Sequence, residues 1–222
     1  MELTRLGFVA SLTSEQCSEL TAALRDPDER VRLSALGAIV RNGEGDDIQQ
    51  NWRVAQIDEH PIVRRRACEL APKVRGLPLS PVIKLAGDPD PSVAEAAAWA
   101  LGEMTGEDYP KEDADLADAM LERLALSHKD ALVREACIAA LGARGVGLTT
   151  ILAACSDKPA VRRRAILALS PFEGPEVDAA LQNALTDRDW QVRQAAEDLL
   201  GIDAGQQADA DAGEDEAEQL GC

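Results

Sequence analysis

One short pattern recurs six times along the chain, and this repetition limits the possible folds more than any other feature. Each copy is a polar turn rich in aspartate, proline or glycine, followed by a valine and, in five copies, by an arginine. The valines are separated by 32, 30, 40, 28 and 31 residues, the length that one antiparallel helix pair requires. They are Val31, Val63, Val93, Val133, Val161 and Val192. We predict an all-α fold, an α-solenoid of about six antiparallel helical hairpins.

Apolar residues follow each valine at helical spacing, which predicts the buried face of a second helix in every hairpin. The positions four residues on are Ala35, Ala67, Ala97, Cys137, Ala165 and Ala196, and those eight on are Ile39, Ala71, Leu101, Leu141, Leu169 and Leu200. Amphipathic stretches that precede the turns predict the first helices, at about 14–25, 46–56, 79–86, 114–126, 148–155 and 175–185. Thr13 and Gln16 form a capping-box pattern at the start of the first of these.

The composition and the scattered cysteines indicate a thin helical core without a metal site. Apolar residues make up 45% of the chain and aromatic residues only 3%, so small aliphatic side chains must fill the interior. The five cysteines form no Cys-x-x-Cys pair, and the two histidines, His60 and His128, lie in predicted turns. We therefore expect no disulfide framework, no metal and no cofactor, and we expect both histidines to be solvated or to cap helices.

The formal net charge of -17 opposes binding to nucleic acid or to an anionic membrane surface. Two arginine triplets, 64–66 and 162–164, and three tryptophans, Trp52, Trp99 and Trp190, could suggest DNA contacts, but glutamates share the same helices. The sequence contains no long apolar run and no signal-peptide pattern, so we expect a cytoplasmic location without membrane contact. Seven acidic and no basic residues in 203–222 predict a disordered tail after an array over residues 1–202.

The repeated motif resembles a known family. An aspartate six residues before an arginine, with valine directly before that arginine, is similar to the HEAT repeat, and Ala-Trp-Ala-Leu-Gly-Glu at 98–103 resembles its phycobilisome-lyase-like subgroup. The resemblance covers residues 13–202 and implies a ladder of ion pairs between neighbouring repeats. The ladder residues would be Asp26, Asp58, Asp88 and Asp187 with Arg32, Arg64, Arg134, Arg162 and Arg193. Ala94, His128 and Ser156 depart from the motif, so we expect a weaker ladder in the third to fifth repeats.

No catalytic pattern stands out in the sequence. The chain lacks a Ser-His-Asp or Cys-His arrangement, a phosphate-binding glycine loop and paired carboxylates. The repeat-built deoxyhypusine hydroxylases resemble this architecture but hold iron with His-Glu pairs, and this chain has no His-Glu dipeptide. The glycines at 142–147 follow a predicted helix and indicate a helix stop and a turn. We predict that the chain is not an enzyme.

A helical wheel predicts which residues form a binding surface. The residues two, five and six positions after each valine face away from the first helix and should line the concave side of the stack. We expect this side to bind a partner through Trp99, Arg65, Arg163, Ile138, Ile166, Leu167, Glu69 and Glu135. Two questions remain open. Trp99 either lies in the groove or packs in the core. The inserted loop at 105–115, which contains Tyr109, either binds a partner or is a solvated acidic connector.

A mixed apolar and arginine-bearing face of this kind is typical of protein-binding grooves. We predict a non-catalytic scaffold or adaptor that binds a protein or a peptide segment and is itself a monomer. The alternative is a lyase-like or chaperone-like subunit that holds a cofactor-bearing substrate protein.

Overall fold

The computed structural model describes residues 17–42, 46–106 and 108–201, and every regular element within these ranges is helical. The helices form six hairpins: α1 Cys17–Ala23 with α2 Glu29–Asn42, α3 Asp46–Ala55 with α4 Pro61–Leu70, α5 Leu79–Ala86 with α6 Pro91–Glu103, α7 Lys111–Ser127 with α8 Ala131–Arg144, α9 Leu148–Ala154 with α10 Pro159–Ala168, and α11 Pro175–Ala184 with α12 Trp190–Leu200. A 3-10 turn, Ala71–Lys73, extends α4. The predicted all-α hairpin array is confirmed. Thr13, Gln16 and the tail 203–222 lie outside the described residues.

The turn inside each hairpin explains why its second helix begins where it does. Asp88 accepts the amide N–H of Asp90 at 2.9 Å, and Asp90 in turn accepts the amide N–H of Ser92 at 2.9 Å as the N-cap of α6. Pro91 occupies the first turn of α6, where a missing N–H costs little. His60 and Asp130 cap α4 and α8 in the same way. Aspartate and proline in the turns therefore set the helix starts.

The core lies between the first and the second helices. All six repeat valines are buried, as are the small residues four positions later, and the residues eight positions later are buried except for the half-buried Leu200. Second helices contact one another along the whole array, whereas first helices contact each other extensively only at α5–α7 and α7–α9 among the described residues. The stack is therefore tighter on the side of the second helices, which makes their outer face the inner side of the curve.

Small residues permit this tight approach between second helices. A methyl group added at Gly102 of α6 would lie 3.0 Å from the Cα atom of Ala140 in α8. One added at Gly142 of α8 would lie 2.9 Å from the Cα atom of Ala168 in α10. Both distances are closer than ordinary van der Waals contact, so a side chain at either position would push the neighbouring helices apart.

An arginine–aspartate ladder joins consecutive hairpins. Four of the predicted ladder arginines donate from Nε and Nη2 to the aspartate of the next hairpin and from Nη1 to a backbone carbonyl in their own turn, as Arg32 does to Asp58 and to the carbonyl of Asp26. Among the described residues, the fifth, Arg193, donates only to the carbonyl oxygen of Asp187, at 2.8 Å. The rungs are Arg32–Asp58 at 2.7 Å, Arg64–Asp88 at 2.8 Å, Arg134–Asp157 at 2.7 Å and Arg162–Asp187 at 2.6 Å. Hydrogen bonds from Arg134 and Arg162 lower the pKa values of Asp157 and Asp187, respectively.

The predicted weakening of the ladder is right between the third and fourth hairpins and wrong between the fourth and fifth. The fifth repeat keeps its rung because Asp157, and not its aligned neighbour Ser156, supplies the carboxylate. The rung is missing between the third and fourth hairpins, where Ala94 and His128 replace the two partners. There Arg144, at the other end of α8, pairs with Asp118 and donates to the carbonyl oxygen of Leu101 at 3.0 Å. The buried side chain of Arg144 thus joins the third and fourth hairpins at the C-terminal end of α8, whereas the ladder rungs lie at the N-terminal ends of the second helices.

The inserted segment is shorter as a loop than its sequence predicts. Helix α7 begins at Lys111, so only residues up to Pro110 connect it to α6, and the acidic residues after Lys111 form its first turns. Acidic side chains near a helix N-terminus interact favourably with the helix dipole, which explains why this segment is helical. Tyr109 is half-buried and packs against the core.

Candidate binding groove

A groove of about 730 Å³ runs across the outer faces of α4, α6 and α8 and ends at α10. Its floor is lined mainly by alanines, namely Ala96, Ala136, Ala139, Ala140 and Ala143. Leu132 and Trp99 add larger apolar surface, and both are exposed. We call this surface the groove. It lies on the inner side of the curve and is formed by four consecutive second helices.

In the second to fifth repeats, the size of the residue three positions after the valine determines where the groove opens. Ala96 and Ala136 occupy this position in the third and fourth repeats, and both line the groove. Arginine occupies it in the second and fifth repeats, as Arg66 and Arg164. Arg66 lies against α2, with Nη2 3.5 Å from the point where Gly37 would carry a methyl group. The long side chains therefore fill the space between helices that the alanines leave open.

Trp99 is the most prominent side chain of the groove. It lies on α6 and is 46% exposed, so the alternative of a core tryptophan is wrong. Trp52, by contrast, is fully buried and donates its indole N–H to the carbonyl oxygen of Ala67 at 2.7 Å, which ties α3 to α4. Trp190 is 63% exposed on α12, outside the groove. The same residue type thus has three different environments in one array.

Four glutamates and two arginines give the groove a net negative lining. Arg65 pairs with Glu69 at 3.2 Å, and Arg164 at the far end pairs with Glu135 at 3.4 Å. Glu69 is also held by Arg66 at 2.9 Å. Glu95 and Glu103 make no ion pair with any residue in the described part of the chain. The arginines therefore neutralise the two ends of the groove and leave its middle acidic.

The structure places four of the predicted site residues in the groove, namely Trp99, Arg65, Glu69 and Glu135. Ile138 and Ile166 were predicted wrongly, because both are buried in the core. Ile138 lies one helical turn before Gly142, on the face of α8 that approaches α10. Arg163 and Leu167 are half-buried and do not line the groove.

Sequence reasoning missed part of the lining, including Ala96, Leu132, Ala136 and Arg164. The exposed face of each second helix is turned about the helix axis relative to the predicted face. Residues three and ten positions after the valine line the groove, and the residue five positions after it does not. The sequence does contain a signal for this face. Position three lies on the same helix face as positions six and ten, and it changes between arginine and alanine from repeat to repeat. That alternation could have been found in the sequence.

Cys68 and Cys137 are core residues, and both histidines accept hydrogen bonds from backbone N–H groups in the turns. Burial raises the pKa of Cys68 and of Cys137 to about 12, so both thiols stay protonated at neutral pH. His60 accepts the amide N–H of Ile62, and His128 accepts that of Asp130 at 3.1 Å. The described residues contain no group of three or more histidine, cysteine or carboxylate side chains that could hold a metal. Likewise, none of the described helices is both long and apolar enough to span a bilayer.

Comparison with known families decides the classification. A sequence model of HEAT repeats matches residues 51–142 and 120–201, which together make up more than half of the chain. The chain belongs to the HEAT-repeat family. A search among curated proteins finds no significant relative of this HEAT-repeat chain.

Solved structures share the fold of this HEAT-repeat chain at low identity. YibA of Escherichia coli is 17% identical with a TM-score of 0.67, over 90% of this chain and 74% of that one. An engineered protein is 19% identical with a TM-score of 0.57, over 84% and 98%. A designed armadillo repeat protein in complex with the peptide (KR)4 is 17% identical with a TM-score of 0.56, over 84% and 99%. At these identities the likeness shows a common fold of the HEAT and armadillo type.

Proposed function

We propose that this HEAT-repeat chain is a non-catalytic scaffold that binds an extended segment of a partner protein in the groove. The observation that carries the proposal is the half-exposed Trp99 within an alanine-lined depression. An exposed aromatic side chain is typical of the few residues that supply most of the energy of a protein interface. The surrounding alanines leave room for side chains of the partner.

The dimensions of the groove support a peptide segment. Four neighbouring helices at the usual spacing of 8–10 Å span about 24–30 Å. An extended chain rises about 3.3 Å per residue, so about seven to nine residues would cross the groove. The designed armadillo protein in complex with (KR)4 shows that a stack of this kind can hold a peptide.

Two exposed tryptophans allow a matched test of the proposal. Full-length protein carrying Trp99→Ala or Trp190→Ala would serve as bait for affinity capture from the native cell, with mass spectrometry of the retained proteins. We expect the partner to be retained by the wild type and by Trp190→Ala, and its affinity for Trp99→Ala to fall about 30-fold, the equivalent of a 2 kcal/mol anchor. Equal retention by Trp99→Ala would contradict the proposal.

The phycobilisome-lyase-like subgroup suggested by residues 98–103 stays a prediction. A lyase-like or chaperone-like role would use the same groove for a substrate protein that carries a cofactor. The capture experiment distinguishes the two roles, because a coloured or cofactor-loaded partner would favour the second.

A further inference from the structure

Trp99 lies between two glutamates on one face of α6. Glu95, Trp99 and Glu103 are each four residues apart, so their side chains lie about one helical turn from one another along a stripe of about 12 Å. All three line the groove. We call these three residues the acidic stripe.

The carboxylates of the acidic stripe differ from the other two glutamates of the groove. Glu69 and Glu135 already have arginine partners within the array. Glu95 and Glu103 make no ion pair among the described residues, and Glu95 is half-buried. The negative charge around Trp99 is therefore left for a partner to neutralise.

A bound segment would have to match this charge. A purely apolar segment would cover two carboxylates without pairing them, and desolvated, unpaired charges oppose binding. An acidic segment would be repelled, as would phosphate groups, in a chain with a net charge of -17. A lysine or arginine side chain satisfies both parts of the stripe, because its cation is attracted to the face of an indole ring and to the flanking carboxylates.

We propose that the groove selects a basic peptide segment and that a lysine or arginine of this segment lies over Trp99 between Glu95 and Glu103. This inference rests on the proposed peptide-binding function and names the chemistry of the partner. The alanine floor then contacts the aliphatic part of the basic side chain and its neighbours. The arginines at both ends limit the acidic region to the middle of the groove.

The test selects random displayed peptides on the full chain and measures the binding of individual selected peptides by fluorescence anisotropy. The variant Glu95→Gln/Glu103→Gln removes two charges from the stripe without changing its shape. The matched control Glu112→Gln/Glu173→Gln removes two exposed carboxylates outside the groove and alters the net charge equally. The variant Trp99→Ala reports whether a selected peptide occupies the groove at all.

We expect the selected peptides to carry lysine or arginine and to bind the stripe variant about threefold to tenfold more weakly than the wild type. The control variant should change their affinity less than about twofold, because distant exposed charges are screened by salt. Replacing the basic residue of the peptide by glutamine should cause a loss similar to that of the stripe variant.

Two other outcomes would overturn the inference of basic recognition, and only the second would also overturn the proposed peptide-binding function. Peptides that need Trp99 but bind equally well to the stripe variant would refute basic recognition and leave the groove as a peptide site. If the selection yields no peptide that depends on Trp99, both the inference and the proposed function fail.

Discussion

The close approach of α8 to α10 makes one substitution unusually informative. A methyl group at Gly142 would lie 2.7 Å from the Cβ atom of Ala168, 2.9 Å from its Cα atom and 3.1 Å from its carbonyl oxygen. Two of these three atoms belong to the backbone and cannot rotate away. We therefore predict that Gly142→Ala destabilises the array, although alanine is normally the better helix residue.

The size of the effect follows from two opposing contributions. Alanine in place of glycine in a helix stabilises by up to about 1 kcal/mol, whereas overpacking in a close-packed interior costs about 1–3 kcal/mol. We expect a net loss of about 1–2 kcal/mol for Gly142→Ala. Gly37 in α2 provides the control, because its added methyl group would only touch the end of the Arg66 side chain, at 3.5 Å. We expect Gly37→Ala to stabilise by up to about 1 kcal/mol.

Thermal unfolding followed by circular dichroism checks the pair. For a chain of this size about 1 kcal/mol corresponds to about 2–4 °C in Tm, so Gly142→Ala should lower Tm by about 2–8 °C while Gly37→Ala raises it slightly. Adding Ala168→Gly should recover only part of the loss, because the Cα atom and the carbonyl oxygen of residue 168 remain. If Gly142→Ala raised Tm as much as Gly37→Ala does, α8 and α10 could separate freely, and the argument from close packing would be wrong.

Two further predictions concern the ladder. Asp187→Ala leaves the guanidinium of Arg162 buried without its carboxylate, so we expect the free energy of unfolding, measured by urea denaturation, to fall by about 2–4 kcal/mol. Adding Arg162→Met to the same chain should recover part of this loss. A loss below about 0.5 kcal/mol would refute a structural role for this rung. The lowered pKa values of Asp157 and Asp187 predict that stability is fully present above about pH 4, the range of an unfolded aspartate, and is lost as pH falls further through the folded-state values. Tm measured against pH should show this fall, and the fall should be smaller in Asp187→Asn; identical curves for the variant and the wild type would contradict the assignment.

Much of the array could be predicted because each repeat has the same physical requirement. A buried valine and small residues at helical spacing fix one helix face in every copy, and the aspartates and prolines in the turns fix where that helix begins. The start of α7 was predicted at 114 and lies at Lys111, because acidic residues that suggest a loop also stabilise the first turn of a helix.

The groove was harder to predict because its lining depends on contacts between repeats. The sequence of one repeat shows which residues face away from its own first helix. It does not show that Ile138 and Ile166 become buried when the hairpins stack. Arg144 shows the same limit, since its partners Asp118 and Leu101 lie in other helices and no spacing within one repeat indicates them.

Arg144 also affects how the inserted segment relates to the rest of the protein. Its guanidinium donates to the carbonyl oxygens of Leu101 and Met104 before the loop and to that of Ala114 after it. The Arg144 side chain therefore hydrogen-bonds to both ends of the connection between α6 and α7. We expect the sequence between these ends to tolerate changes in length and chemistry without a change in the spacing of the flanking hairpins, so this junction is suited to grafting new segments onto the array.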